Sequence, residues 1–271
     1  VGMRAAFLRQ LARLDQPGHV SLTINGAVAR LTLHNAERRN AISGPMMAQL
    51  SEHISMLEQW DEGAAVVLTG ADGTFCSGLD FELARSHMST PENGRLMADT
   101  MGSILHRLRQ CQLFSVAAID GHAVGGGAEL ATATDWRVMA PDATLRFVHA
   151  RMGTSPGWGG GARLVGLVGR AHALRFLAHG TPITPAAALA VGLCDEVASH
   201  GETAAESAER VLVEPALAHA ASTDALRAIK GAVAGASNLS DDVRDCEAAM
   251  LASVWGSGAN RRIVEQINQR A

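Results

Sequence analysis

A chain of 271 residues, 47% hydrophobic and 18% charged, has material for one large α/β domain or two small ones and is neither disordered nor an acidic tail. Its 23 basic and 27 acidic residues give a formal charge of −4, which argues against nucleic acid as a partner. Tyrosine is absent and Lys230 is the only lysine, so tyrosine acid catalysis is excluded and a lysine Schiff base has one place to be.

In chain order, Met3 reads as the native start behind two added residues, with no signal peptide after it. Residues 20–34 read as a hairpin around Asn25-Gly26, with Val28, Arg30 and Thr32 alternating against Ala29, Leu31 and Leu33. The loop NAERRNAISG leads to a helix over 45–60, whose Met47, Leu50, Ile54 and Leu57 share one face. A buried strand at 64–69 precedes a loop with Gly70, Gly73 and Gly78. A second helix, about 93–110, lines up Met97, Met101, Ile104 and Leu108. The strand at 115–119 runs into Gly121, Gly125, Gly126 and Gly127 and then the helix-like AELATAT; a strand at 136–139 and a glycine-rich stretch at 153–161 follow. Buried strands alternating with helices predict parallel βαβ units covered by helices. From about residue 200 the chain turns alanine-rich and helical, which divides it into a core, 1–199, and a C-terminal region, 200–271, packed on the core or on a neighbouring subunit.

Cys76, Cys111, Cys194 and Cys246 are too dispersed for a zinc site and read as reduced, buried thiols of a cytoplasmic protein; no metal site is expected. No run reaches the ~20 apolar residues of a membrane span, so no membrane partner is expected either.

The informative pair is TFCSGLDF (74–81) and DGHAVGGGAELA (120–131). Each follows a buried strand, where open α/β sheets bind ligands. Glycine lets backbone approach a ligand, and a helix start offers free N–H groups. Two such loops converging on one point form an oxyanion hole; taken singly, each is also a tight turn that merely connects elements. A dinucleotide cradle is the rival, but AVGGGAEL lacks G-x-G-x-x-G and no Walker lysine follows.

With LTLHNAERRNAIS (31–43), SVAAIDGHAVGGGAELATATDWRV (115–138) and GTSPGWGGGARL (153–164), these segments resemble the crotonase (enoyl-CoA hydratase/isomerase) superfamily over nearly the whole chain. The resemblance implies an α/β, ClpP-like fold of repeated ββα units with an α-helical C-terminal trimerisation region, assembled as a homotrimer or a dimer of trimers. It implies an acyl-CoA substrate, and no cofactor beyond the coenzyme A that the substrate carries. The thioester carbonyl would sit between the N–H groups of Ser77 and Gly126. Arg38, Arg39 and Ala41 would lie near CoA, with Gly78, Leu79, Asp80 and Gly125 in the substrate loops and Trp158 walling the acyl pocket. NAISGPMMAQL, TFCSGLDF, STPENG, RFVHARMG and SVWGSGAN are most similar to the ethylmalonyl-CoA/methylmalonyl-CoA decarboxylase branch.

By that resemblance Glu129 stands at the first hydratase glutamate and His149 where the second would be. A hydratase needs two positioned carboxylates; a histidine suits a decarboxylase, holding a substrate carboxylate or protonating an enolate. Glu129 close to a substrate carboxylate should have its pKa raised or destabilise the bound ground state. One assignment makes a protonated Glu129 the acid and leaves His149 to orient the carboxylate; which of the two delivers the proton stays open. The alternatives are a hydratase or isomerase using Glu129, and a non-catalytic acyl-CoA-binding protein. Of the remaining residues, Lys230 reads as a plain surface lysine, Asp80 as a turn stabiliser, Cys76 as buried structure and Trp255 as packing among C-terminal helices. His122 reads as packing or meeting CoA through its backbone, outside the catalysis.

Overall fold

The computed structural model describes residues 2–236 and, beyond them, 252, 255, 261, 262, 265, 266 and 269. The chain opens with α1 (Gly2–Leu11) and the hairpin β1 (His19–Asn25) and β2 (Val28–His34). Next come α2 (Gly44–Glu58), β3 (Ala65–Gly70), α3 (Phe81–His87), α4 (Pro91–Gln110) and β4 (Phe114–Ile119). The site region holds β5 (His122–Val124), α5 (Gly126–Ala131), β6 (Trp136–Met139), β7 (Thr144–Arg146) and α6 (Gly160–His179). Then follow α7 (Pro185–Ala190), β8 (Glu196–Val197), α8 (Ala204–Ala208), α9 (Glu214–His219) and α10 (Thr223–Ala236).

Six strands form one sheet in the order β1-β2-β3-β4-β6-β8, parallel except for the β1–β2 hairpin. The parallel βαβ reading therefore holds. Asn25 pairs with Val28, leaving Gly26 and Ala27 as a two-residue loop. The alternation in β2 is as expected, with Ala29, Leu31 and Leu33 fully buried.

The central strands divide their side chains between two cores. Val66, Leu68, Ala117 and Ile119 face α2 and α4, whose Leu50, Ile54, Met97 and Met101 fill that layer. Ala65, Val67, Val116, Ala118 and Val138 face Ala204, Ala205 and Ala208 of α8. Small side chains let α8 lie close on the sheet, so the first C-terminal helix covers the second face of the core. Helix α4 starts where Thr90 accepts the Asn93 N–H at 3.2 Å, with Pro91 in its first turn. Each large apolar side chain that α4 buries contributes about 1.5–3 kcal/mol.

A second sheet pairs β5 with β7 in parallel. Three-residue strands such as these, and the short α3, leave too little periodicity to be seen in sequence. Helix α6 is interrupted at Gly169, which takes φ 74° and ψ 162°.

Lys230 is not a surface residue. Its side chain is 2% exposed and its Nζ pairs with Asp135 Oδ1, while Asp135 Oδ2 accepts the Ser115 N–H and Oγ–H at 2.8 Å each. The only lysine thereby ties α10 to the beginnings of β4 and β6. Trp255 donates to the Met88 carbonyl and lies against Gly94 of α4. Cys76, Cys111 and Cys194 are buried and free, as expected; Cys246 lies outside the described residues. Among the described residues no helix is long and apolar enough to cross a membrane, and no three His, Cys, Asp or Glu side chains gather to hold a metal ion.

Candidate active site

One β-bridge holds the two glycine loops side by side. Cys76 donates its N–H to His122 O at 3.0 Å and accepts from Val124 N at 2.9 Å. Gly78 sits at φ 98°, and a Cβ there would lie 2.9 Å from Val124 O and 3.1 Å from Gly126 N, so only glycine permits this approach. Gly126 opens α5, and its N–H belongs to the first turn, which has no intrahelical partner.

Ser77 does not supply the second donor. Its N–H goes to Arg39 O at 2.9 Å and its Oγ–H to Arg38 O at 2.8 Å. Two residues on, the bridge to Ile42 uses Gly78 O, which accepts Ile42 N at 2.7 Å, and Asp80 N, which donates to Ile42 O at 3.0 Å. In extended backbone successive N–H groups alternate sides, so the Leu79 N–H faces away from Ile42 and has no acceptor among the described residues. The Ser77 expectation is corrected to Leu79, which is partly exposed, like Gly126.

Glu129 is 2% exposed in the first turns of α5 and aims its carboxylate at the start of α6. Oε2 accepts the N–H groups of Trp158 at 2.8 Å and Gly160 at 3.0 Å; Oε1 meets the Gly157 N–H at 3.4 Å and His149 Nε2 at 3.0 Å. A helix N-terminus favours an anion. Burial pushes the carboxyl up, but the His149 hydrogen bond and attraction, Arg163 and the Trp158 N–H outweigh it and hold it below the usual carboxylate range. Of the two open assignments, this geometry disfavours a protonated Glu129, because three N–H groups converge where a carboxylic O–H would have to point.

Buried Arg163 braces this anion from behind, donating to Glu129 O at 3.0 Å and Thr132 Oγ1 at 3.1 Å. His149 opens a one-turn 3-10 helix, is 7% exposed, and keeps Nδ1 buried with no hydrogen-bond partner among the described residues. An ionised carboxylate only accepts, so Nε2 carries the hydrogen.

Trp158 stands against the Gly126 amide. A Cβ on Gly126 would lie 2.6 Å from the indole Cζ3 and Cη2, and the indole N–H points at Met97 Sδ at 2.9 Å. Gly125 is fixed through its N–H to Arg146 O at 2.8 Å.

On the other flank, Arg38 is committed to carboxylates, with Asp80 Oδ2 at 2.7 Å and Glu82 Oε2 at 2.9 Å. Asp80 also caps α3 through Glu82 N at 2.9 Å and Leu83 N at 3.1 Å. Both side chains thus shape the loop, as the turn reading of Asp80 anticipated. Arg39 is exposed and makes no ion pair among the described residues, and Ala41 is buried behind it.

Sequence reasoning missed Asn40, which is wholly buried at φ 55°. Its Oδ1 accepts the Asn35 N–H at 2.8 Å and its Nδ2 donates to Ala71 O at 2.9 Å and Thr74 O at 2.8 Å. An asparagine, the side chain that best tolerates left-handed backbone, next to two arginines was the available signal. Cys76 has its thiol pushed up to about 12 by burial, which rules it out as a nucleophile. Exposed His122 meets only Thr144 Oγ1, at 2.9 Å, outside this cluster.

Residues 23–260 match the family model described as enoyl-CoA hydratase/isomerase. The chain is 40% identical over 254 residues to an ethylmalonyl-CoA decarboxylase of Danio rerio, covering 93% of this chain and 80% of that protein. It is 38% identical over 261 residues to the Xenopus tropicalis protein of the same name, covering 96% of this chain and 86% of that one. Among solved structures, a putative enoyl-CoA hydratase from Thermobifida fusca in complex with acetoacetyl-CoA superposes with a TM-score of 0.72 at 26% identity, covering 93% of this chain and 94% of that one. Fold, converging loops and family model agree: the chain belongs to the enoyl-CoA hydratase/isomerase family and has the crotonase fold.

Proposed function

We propose that this protein decarboxylates a malonyl-type CoA thioester carrying a small α-alkyl group, of the ethylmalonyl or methylmalonyl kind. One observation carries the reading: two unpaired amides, at Leu79 and Gly126, accompany a buried histidine and a Glu129 carboxylate whose lone pairs are taken up by N–H groups. When the α-carbon–carboxylate bond breaks, its electron pair moves into the thioester as an enolate and CO₂ leaves. The enolate oxygen takes the Leu79 and Gly126 N–H groups, each worth about 2.7–4 kcal/mol in the transition state. Trp158, on the apolar side of Gly126, strips water from the departing carboxylate. The α carbon then takes a proton, and the saturated thioester is released.

The names of the Danio rerio and Xenopus tropicalis relatives support the substrate class. The acetoacetyl-CoA complex of the Thermobifida fusca relative supports CoA as the carrier. Arg39, exposed and without an ion pair among the described residues, is the cation we assign to the CoA phosphates, with the backbone of Ala41, Gly78 and Gly125 lining the path. The hole takes up the developing charge, so the chemistry calls for neither a metal nor an organic cofactor. We further propose a cytoplasmic homotrimer or dimer of trimers, with 1–199 holding the site and the C-terminal region beyond α8 serving subunit packing.

The test is purified protein with ethylmalonyl-CoA, methylmalonyl-CoA and crotonyl-CoA. CO₂ release from either malonyl thioester is the expected result. Loss of crotonyl absorbance without CO₂ would replace the reading with a hydratase, and binding without turnover of any of the three would leave an acyl-CoA-binding protein.

A further inference from the structure

Glu129 occupies the place where an acid is expected, yet its carboxylate has no acceptor position left. Trp158 and Gly160 N–H fill Oε2; His149 and, more distantly, Gly157 fill Oε1. A carboxylate offers about four such positions. Its partner is in the opposite state: His149 Nδ1 is buried with no hydrogen-bond partner among the described residues, a condition that is costly unless a ligand supplies the partner. We propose that Glu129 is a positioning residue that fixes the tautomer of His149, and that His149 Nδ1 hands the proton to the α carbon.

This role for His149 rests on the decarboxylase reading of the same site. With Nε2–H committed to Glu129, the proton that His149 gains and loses is the one on Nδ1. In the charged form, the imidazolium and Glu129 make a neutral pair, and Nδ1–H is the donor that greets the substrate carboxylate. After CO₂ departs with its two oxygens, the enolate carbon forms a bond to that proton. The Nδ1–H pair stays on the ring, the imidazole becomes neutral with hydrogen on Nε2, and solvent restores the Nδ1 proton. Glu129 remains a carboxylate throughout, so its charge never meets the substrate's uncompensated. Arg163, bonded to the Glu129 carbonyl and to Thr132, keeps the start of α5 in register with this anion.

The experiment reads ¹⁵N-histidine spectra of the free protein, wild type and Glu129→Gln, alongside turnover of ethylmalonyl-CoA in D₂O. In the wild type the neutral His149 ring should carry its hydrogen on Nε2. In Glu129→Gln the amide oxygen stays on Trp158 and Gly160 N–H, its NH₂ turns to Nε2, and the neutral ring should carry its proton on Nδ1. Turnover should fall about 10²–10³-fold, within the usual range of acid–base catalysis, and deuterium should enter the α carbon without stereospecificity. Glu129→Asp should keep the wild-type tautomer and recover part of the rate. An Nδ1–H tautomer in the wild type, or Glu129→Gln turnover within threefold of it, overturns the proposal. The spectra decide the tautomer even if no malonyl thioester is decarboxylated, which would sink the decarboxylase reading instead. If His149→Ala still places deuterium stereospecifically, that reading stands and the proton donor lies elsewhere.

Discussion

Asn40 offers the sharpest quantitative check on how the site loop is held. It is wholly buried, and its amide makes three hydrogen bonds, to Asn35 N, Ala71 O and Thr74 O, at 2.8, 2.9 and 2.8 Å. Replacing it with alanine removes all three, at about 1 kcal/mol net each, and strands the buried Asn35 N–H for about 1 more. Alanine at φ 55° adds the left-handed penalty of about 1 kcal/mol that asparagine largely escapes. Asn40→Ala should therefore cost about 4–5 kcal/mol in total. For a domain of this size that is a fall in Tm of about 8–20 °C. Asn40→Gly relieves the backbone strain but restores no hydrogen bond, so it should recover only about 1 kcal/mol. Urea unfolding measures both variants, and hydrogen exchange at the Asn35 amide reports local opening. An Asn40→Ala loss below about 1 kcal/mol, with Asn35 exchange unchanged, would refute the reasoning.

Three further outcomes follow from the same geometry. Lys230→Met strands Asp135, a change that costs about 3–5 kcal/mol for a buried pair; the two Ser115 hydrogen bonds to Asp135 place it at the lower end, and Lys230→Met/Asp135→Asn should regain most of the loss in thermal melts. Gly160→Ala puts a Cβ 2.4 Å from Glu129 Cγ, so turnover should fall at least tenfold while Gly166→Ala, with nothing within 4 Å, leaves it unchanged; equal rates would mean that Glu129 need not sit where it does. The lowered Glu129 carboxyl contributes stability that is present above the ordinary carboxylate pKa, about 4.3, and is lost as pH falls through the lower folded value. Urea midpoints from about pH 6 to 3 should then drop more steeply for wild type than for Glu129→Gln, and parallel slopes would contradict an ionised Glu129.

The frame of the molecule was readable because long periodic segments carry their own signal. Met47, Leu50, Ile54 and Leu57 mark α2 whatever else surrounds it, and the glycine clusters mark where strands must turn. Aspects that depend on partners far along the chain were not readable. Glu129 could be placed by its motif, but its three N–H donors come from residues 157–160, and only the folded loop shows the carboxylate filled. The choice between Ser77 and Leu79 turns on which way an amide points. That is settled by the bridge to Ile42, which neither residue's identity encodes. Lys230 looks like any helix-surface lysine until α10 is laid against Asp135.

The bridge between Cys76 and Ala123 has a wider consequence. Because the two unpaired amides, at Leu79 and Gly126, belong to backbone on either side of that rung, their separation follows from peptide geometry. Substitutions of the surrounding side chains can change the acid or reshape the wall and leave this pair of donors in place, so long as Gly78 and Gly126 stay glycine. A scaffold that keeps its most demanding element in the backbone can change reactions in small steps. Here, the swap of one carboxylate for His149 would be such a step.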